Sequence, residues 1–177
     1  LTDFVVLEPA YDRALLLSWA AGMQAHSEHP IAHAIVQAAL ADHLPVATAQ
    51  NFHAMSGAGV RATVSGHALS SGAQTFMQTE GIDTSAVTQY SEQWGQQGKT
   101  PICLAVDGKL AALMAVADPL KPSAHGAIAA LKQLGLRTVM ITGDNRYTAR
   151  AVAQQLGIDE VHAEVLPEGK VAVLQAL

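Results

Sequence analysis

Two short stretches of the 177-residue chain hold side chains whose types and spacing could do chemistry. The first is "SEHPIAHAIVQAAL", residues 27 to 40, where His29 stands directly before Pro30. A proline at the first helical position surrenders an amide that would lack a partner anyway and fixes φ, which leaves His29 at the cap with its ring aimed away from the helix face. An imidazole held there can stack on a base or hydrogen-bond to it. Three readings are open: a base contact, a plain polar cap, and a metal site in which His29 and His33, four residues apart, are joined by His26 or Glu28. A cap residue does not share the helical side-chain direction of His33, which counts against the metal. The second stretch is "LRTVMITGDNRYTARAVAQQLGI", read as strand, tight turn and helix, with Thr142, Gly143 and Asp144 at the strand's carboxyl end. That end is where open α/β sheets bind ligands. Thr142 offers a hydroxyl, Gly143 lets a ligand approach the backbone, and Asp144 or Asn145 can cap the helix. A capped turn with no ligand would look the same. Further on, "LPEGK" places Lys170 one turn inside a helix that begins at Pro167.

The elements that must position these residues follow from periodicity. Residues 11 to 23 and 30 to 43 carry apolar positions at helical spacing, and "NFHAM", "GVRATV", "HALSS", "ICLAVD" and "KLAALMAV" read as short strands. Asp107-Gly108 is a hairpin signal between the last two. "DTSAVTQYSEQWGQQG" predicts a helix closing on Gly98. After "ADPLKPS", whose two prolines mark a hinge, the pattern becomes helix 123 to 134, strand 137 to 141, helix 145 to 156, a short strand near 161 to 163 and a final helix. Such alternation predicts a parallel, doubly wound α/β sheet.

Bulk properties exclude several classes. Half of the residues are hydrophobic and 14% are charged, as in a globular protein. Ten Lys and Arg against fifteen Asp and Glu, net −5, with no basic run, argue against nucleic acid as a partner. The longest apolar runs, "ALLLSWAAGM" and "LAALMAVA", are too short to cross a bilayer. Cys103 is the single cysteine, cannot form an internal disulfide, and reads as a small core residue.

Together, "TGDN", "PEGK" and "DPLKPSAHGAIAALKQLG" resemble the phosphorylation domain of P-type ATPases, a haloacid dehalogenase-like fold, in its heavy-metal-transporting branch. "SEHP" resembles the signature of that branch's nucleotide-binding domain, in which the histidine orients the adenine of ATP. The resemblance implies an α+β nucleotide-binding domain, an antiparallel sheet flanked by helices, inserted in an incomplete doubly wound parallel α/β phosphorylation domain. The implied boundaries are a linker over 1–7, the nucleotide-binding domain over 8–117 and the partial phosphorylation domain over 118–177. It assigns the ATP contacts to Gln24, Glu28, His29, Gly57, Gly59, Val60 and Gly72, and the phosphoryl contacts to Thr142, Asp144 and Lys170, with no metal ligand set. Two positions depart from the family pattern: Gln24 stands where a glutamate is usual, and Ala73 where an asparagine is usual.

The family's phosphorylated aspartate lies in a "DKTGT" strand followed by "LT", and this chain begins at Leu1-Thr2. It stops at Leu177, in the helix that precedes the family's "GDGxND" magnesium segment. The expectation is therefore a piece of a copper-type transporter that acts as an ATP-hydrolysing enzyme only when intact. Its partners would be ATP, Mg held mostly by ligands outside this chain, and the rest of the transporter: the missing phosphorylation strand, the actuator and the membrane domains. It would lie on the cytoplasmic face of a membrane and bind ATP without turning it over. The alternatives are a free-standing phosphatase of the same superfamily and a non-catalytic nucleotide-binding module. A phosphatase needs a nucleophilic aspartate early in the chain, and Asp3 and Asp12 both lack a second aspartate two residues on.

Overall fold

The computed structural model describes residues 1–55, 58–117 and 120–176; Gly57, and Asp118 and Pro119 of the expected hinge, lie outside the described residues. The chain forms two compact units, one of Leu1–Thr88 with Pro101–Val116, the other of Gln89–Thr100 with Ala117–Leu177.

The first unit is built on a six-stranded sheet. Its strands are β1 (Asp3–Val6), β2 (Ala49–Met55), β3 (Gly59–Val64), β4 (His67–Gly72), β5 (Thr100–Val106) and β6 (Lys109–Val116), in the order β1-β6-β5-β4-β3-β2. The β1/β6, β2/β3, β3/β4 and β4/β5 pairs are antiparallel. Asp107 and Gly108, with φ of 48° and 78°, make the two-residue β5–β6 turn, and positive φ at both positions is what a type I′ hairpin demands. Pro101–Val106 and Ala111–Val116 are buried at consecutive positions, so both faces of the sheet centre are covered. On one face lie α1 (Arg13–Gln24) and α2 (Pro30–Ala41). Asp12 caps α1, its carboxylate accepting from the Leu15 N–H at 2.7 Å. Leu16, Leu17, Ala20 and Met23 then meet Val60, Val64, Leu104 and Met114 in one cluster. Each Leu, Met or Val among them contributes about 1.5–3 kcal/mol by leaving water. In α2 the stripe Ala32, Ile35, Ala39 is buried. The other face receives α3 (Gln74–Thr79), which buries Phe76 and Met77.

Residues 1–7, expected as a linker, instead supply β1, because Phe4 and Val6 pack against the core cluster while the backbone pairs with β6. The expected helix within 83–98 resolves into a short 3₁₀ turn, Ser85–Val87, and α4 (Thr88–Gln96). Residues 89–100, expected in the nucleotide-binding part, belong to the second unit.

In that unit α5 (Ser123–Gln133), β7 (Val139–Ile141), α6 (Arg146–Leu156), β8 (Glu160–His162) and α7 (Pro167–Ala176) follow in order. β7 and β8 pair in parallel, with Ile141 opposite His162. Asp159 sets this register by accepting from the Thr138 amide at 2.9 Å and hydroxyl at 2.7 Å. These bonds, with Lys132 beside them, hold its carboxyl well below the usual carboxylate range. α6 ends on Gly157 at φ 72°, the left-handed closing position that glycine fills without strain. α4 packs on α6 so closely that a Cβ on Gly95 would lie 2.2 Å from the Cβ of Tyr147. Thr148 donates to the Lys99 carbonyl at 2.7 Å, and Tyr147 to Glu92 at 3.0 Å. Parallel strands are normally buried on both faces, yet every residue of β7 and β8 is half-exposed and α5 buries none of its residues.

Candidate functional site

In the first unit the site residues hang from the end of α1, the start of α2 and the β3–β4 ladder. Gln24, 6% exposed, turns its amide inward and donates to Ser71 Oγ across a long 3.5 Å. Ser71, itself 1% exposed, stands opposite Val60 in the β3–β4 register. Gln24, Ser71 and Val60 therefore share one face of the sheet. From Gln24 the chain turns, its carbonyl accepting from the Ser27 amide at 2.9 Å, and reaches His29.

His29 has an extended backbone, φ −68° and ψ 139°, and is the N-cap of α2, with Pro30 next. Its Nδ1 accepts from the Ile31 N–H at 3.2 Å. Because that bond occupies Nδ1, the neutral ring carries its proton on Nε2, leaving a donor on the far side of an exposed ring. Glu28 is exposed beside it. Among the described residues no group of three or more His, Cys, Asp and Glu is placed to hold a metal ion, so His29, His33 and their neighbours do not converge.

Gly59 and Gly72 stand opposite each other in the ladder. A Cβ on Gly59 would lie 2.4 Å from the Phe76 ring and 2.6 Å from the Ser71 carbonyl; one on Gly72 would lie 2.6 Å from the Ala58 carbonyl and 2.7 Å from the same ring. The paired glycines thus form a flat bed for Phe76, a structural use that reading along the chain did not reveal. Ala73 is the N-cap of α3 and makes no side-chain capping bond. Ser71 was also missed; its signal was a polar residue at an inward position of "HALSSG".

In the second unit Thr142 continues β7, donating its amide to the His162 carbonyl at 2.9 Å. Its hydroxyl donates to Asp144 Oδ2 at 2.8 Å and accepts from the Asp144 amide at 3.1 Å. Asn145, not Asp144, caps α6, accepting from the Tyr147 and Thr148 amides at 3.0 Å each. This keeps the exposed Asp144 carboxylate out of the helix cap. The Val165 and Glu164 amides donate to the Thr142 and Asp144 carbonyls at 3.0 Å, tying the segment before α7 to the same turn. Lys170 then projects from the exposed side of α7. The arrangement is a hydroxyl, a carboxylate, a side-chain-free Gly143 and the start of a helix whose Tyr147 and Thr148 amides are taken by Asn145, all at a strand's carboxyl end, where open α/β sheets bind ligands.

Known proteins extend this picture. The chain is 48% identical over all 177 of its residues to Copper-transporting ATPase 1 of Rhizobium meliloti, of which it covers 21%. Among solved structures, the catalytic domain of the CPx-ATPase CopB-B, described for its conformational changes upon nucleotide binding, shares the fold at a TM-score of 0.71 and 23% identity, over 99% of this chain and 59% of that one. A zinc-transporting PIB-type ATPase in its E2.Pi state aligns at a TM-score of 0.60 and 29% identity, over 98% of this chain and 28% of that one. The chain thus spans about a fifth of the curated relative named above. The family model of haloacid dehalogenase-like hydrolases matches residues 1–177, and the chain belongs to that family.

Proposed function

We infer that the chain is the nucleotide-binding and phosphoryl-handling region of a heavy-metal P-type ATPase of the copper-transporting kind, working on the cytoplasmic face of a membrane. The observation that supports this most is the 48% identity over all 177 residues, a span that takes in both candidate sites. In this reading the first unit binds ATP. The Nε2–H of His29 donates to the adenine or the ring stacks on it, while Gln24, Glu28, Gly59, Val60 and Gly72 frame the nucleotide. The γ-phosphoryl passes to an aspartate of the parent protein outside residues 1–177. Turned from Asp144 to the transferring group, the Thr142 hydroxyl would donate to it and, with the Lys170 ammonium, would stabilise the charge spread over it, a task suited to a donor and a point cation. Until then the Asp144 carboxylate accepts the hydrogen bond of the Thr142 hydroxyl. Magnesium would draw most of its carboxylates from elsewhere in the parent protein. The half-exposed β7 and β8, with the open Leu134, Leu136, Val171 and Leu174, are where the remainder of the phosphorylation domain would sit.

A free-standing phosphatase fits poorly. Asp12 is engaged as the cap of α1, and Asp3 lies in the antiparallel β1, so neither stands at the carboxyl end of a parallel strand.

The test is a titration of the purified chain with ATP and with GTP, followed by amide chemical shifts. ATP should bind more tightly, with a dissociation constant of about 1 mM or somewhat below, and His29→Gln should remove the preference while the fold persists. Equal affinity for ATP and GTP in the wild type, or an unchanged preference in the folded variant, would overturn the reading of His29. Incubation with γ-labelled ATP should leave the chain unlabelled; label on it would identify a nucleophile within residues 1–177 and favour the phosphatase.

A further inference from the structure

One pair of rings on the Val60 face of the sheet takes no part in the contacts so far described. β2 and β3 run in register from Met55 opposite Gly59 to His53 opposite Arg61, and again at Gln50 opposite Thr63, so Asn51 and Phe52 together face Ala62 alone. This is a β-bulge. Asn51 takes φ 52°, a region that residues other than glycine seldom enter. Bulges re-aim side chains, and this one brings Phe52 onto the face of α1 and α2, where it is half-buried against the core cluster. The His26 ring lies across it with centroids 5.8 Å apart and planes at 46°. His26 is exposed and sits in the loop that joins Gln24 to His29. Val60 pairs with Ala54, two residues from Phe52 on the same strand. Two separate segments, the α1–α2 loop and the β2 bulge, thus bring two rings together on the Val60 face, and the loop that supplies His26 leads within three residues to His29, the candidate base contact.

We propose that Phe52, presented by the Asn51 bulge and bordered by His26, is the platform on which the nucleotide base stacks. This rests on the reading of His29 as the base contact and divides the work between the two residues. A phenyl face offers stacking that every base accepts, whereas a single directed N–H can tell one base edge from another. Phe52 therefore supplies affinity without selectivity, and His29 supplies selectivity.

The experiment compares wild type, Phe52→Leu, Phe52→Tyr and His29→Gln for binding of ATP, GTP and inorganic tripolyphosphate. Fluorescence of the buried Trp19 serves as the check on folding. Phe52→Leu should weaken ATP and GTP by the same factor, about tenfold, with their ratio and the tripolyphosphate affinity unchanged. Phe52→Tyr should restore binding. His29→Gln should instead bring the ATP-to-GTP ratio to about one. A folded Phe52→Leu chain with wild-type ATP affinity overturns the platform, whatever His29→Gln does. Tripolyphosphate binding that falls in parallel with ATP also overturns it, because the loss then reflects general damage. If Phe52→Leu weakens ATP while His29→Gln changes nothing, the stacking role survives and the reading of His29 fails. Should the leucine variant not fold, Phe52→Met fills the same space without a ring and is judged by the same outcomes.

Discussion

Gly59→Ala separates two explanations for the glycines of the β3–β4 ladder. If they exist so that a ligand can approach the backbone, the alanine chain should fold as before and lose the ligand. The structure gives them a packing role as well, so the fold itself should suffer. The new methyl carbon would stand 2.4 Å and 2.6 Å from two atoms of the Phe76 ring and 2.6 Å from the Ser71 carbonyl oxygen, where carbon contacts of about 3.5–4.0 Å are ordinary. The ring can yield by rotation, but the carbonyl belongs to the paired strand, so the ladder itself must shift. Overpacking a core costs about 1–3 kcal/mol, and a clash with paired backbone places this substitution near the upper end. For a unit of roughly a hundred residues, that lowers the melting temperature by about 10–20 °C. The two units need not unfold together, so the assay is urea unfolding followed by Trp19 fluorescence in a Trp94→Phe background, since Trp19 lies in the first unit and Trp94 in the second. Phe76→Leu should relieve the ring clash and leave the carbonyl clash, so the double substitution should cost less than the sum of the singles by about 1 kcal/mol. An unchanged unfolding midpoint in Gly59→Ala, accompanied by lost ATP binding, would refute the packing argument.

Three further outcomes follow from the same coordinates. Cys103 is 1% exposed and burial pushes its thiol up to about 12, so Ellman's reagent should leave it unmodified in the native chain and react fully in urea; native-state reaction at the rate of a free thiol would contradict its placement. Asp107 is held below its ordinary value of 3.8 by hydrogen bonds from the His67 ring and the Ala68 amide. A depressed folded value means stability fully present above the unfolded value and lost as pH falls through the folded one, so Asp107→Asn should flatten the stability profile below about pH 4, and an identical acid limb in both proteins would exclude this linkage. Amides of β7, β8 and α5 should exchange with deuterium faster than those of β5 and β6, because the former are half-exposed or carry no buried side chain, whereas β5 and β6 are almost wholly buried; equal protection in mass spectrometry of peptides would count against two units of unequal stability.

What could be read along the chain was what physics decides within a few residues. Pro30 places a cap at His29, Asp107-Gly108 makes a two-residue turn, and the Thr142-Gly143-Asp144 turn precedes a helix, each through local φ preference or a capping bond. Long-range partners left no such trace. The ring packed on Gly59 and Gly72, Phe76, is seventeen and four residues away, and nothing local to either glycine names it. Gln24 carried no sign of its partner, because Ser71 is 47 residues on. Gly95 gave no hint that α4 would pack on Tyr147, since neither helix's periodicity names its neighbour.

The exposed leucines of the second unit extend the same reasoning from residues to surfaces. Leu134 is 75% exposed, Leu136 52% and Leu174 62%, in the unit that holds a two-stranded parallel sheet. Parallel pairing is stable chiefly when helices or further strands cover both faces, and each large apolar side chain left open forgoes about 1.5–3 kcal/mol of burial. The second unit therefore has its local geometry, the Thr142 turn included, specified by capping and register bonds such as those of Asn145 and Asp159, while much of its hydrophobic stabilisation is left unrealised. The Thr142 turn is held by bonds to Asp144, Val165 and His162, so its geometry does not depend on whether those leucines are covered.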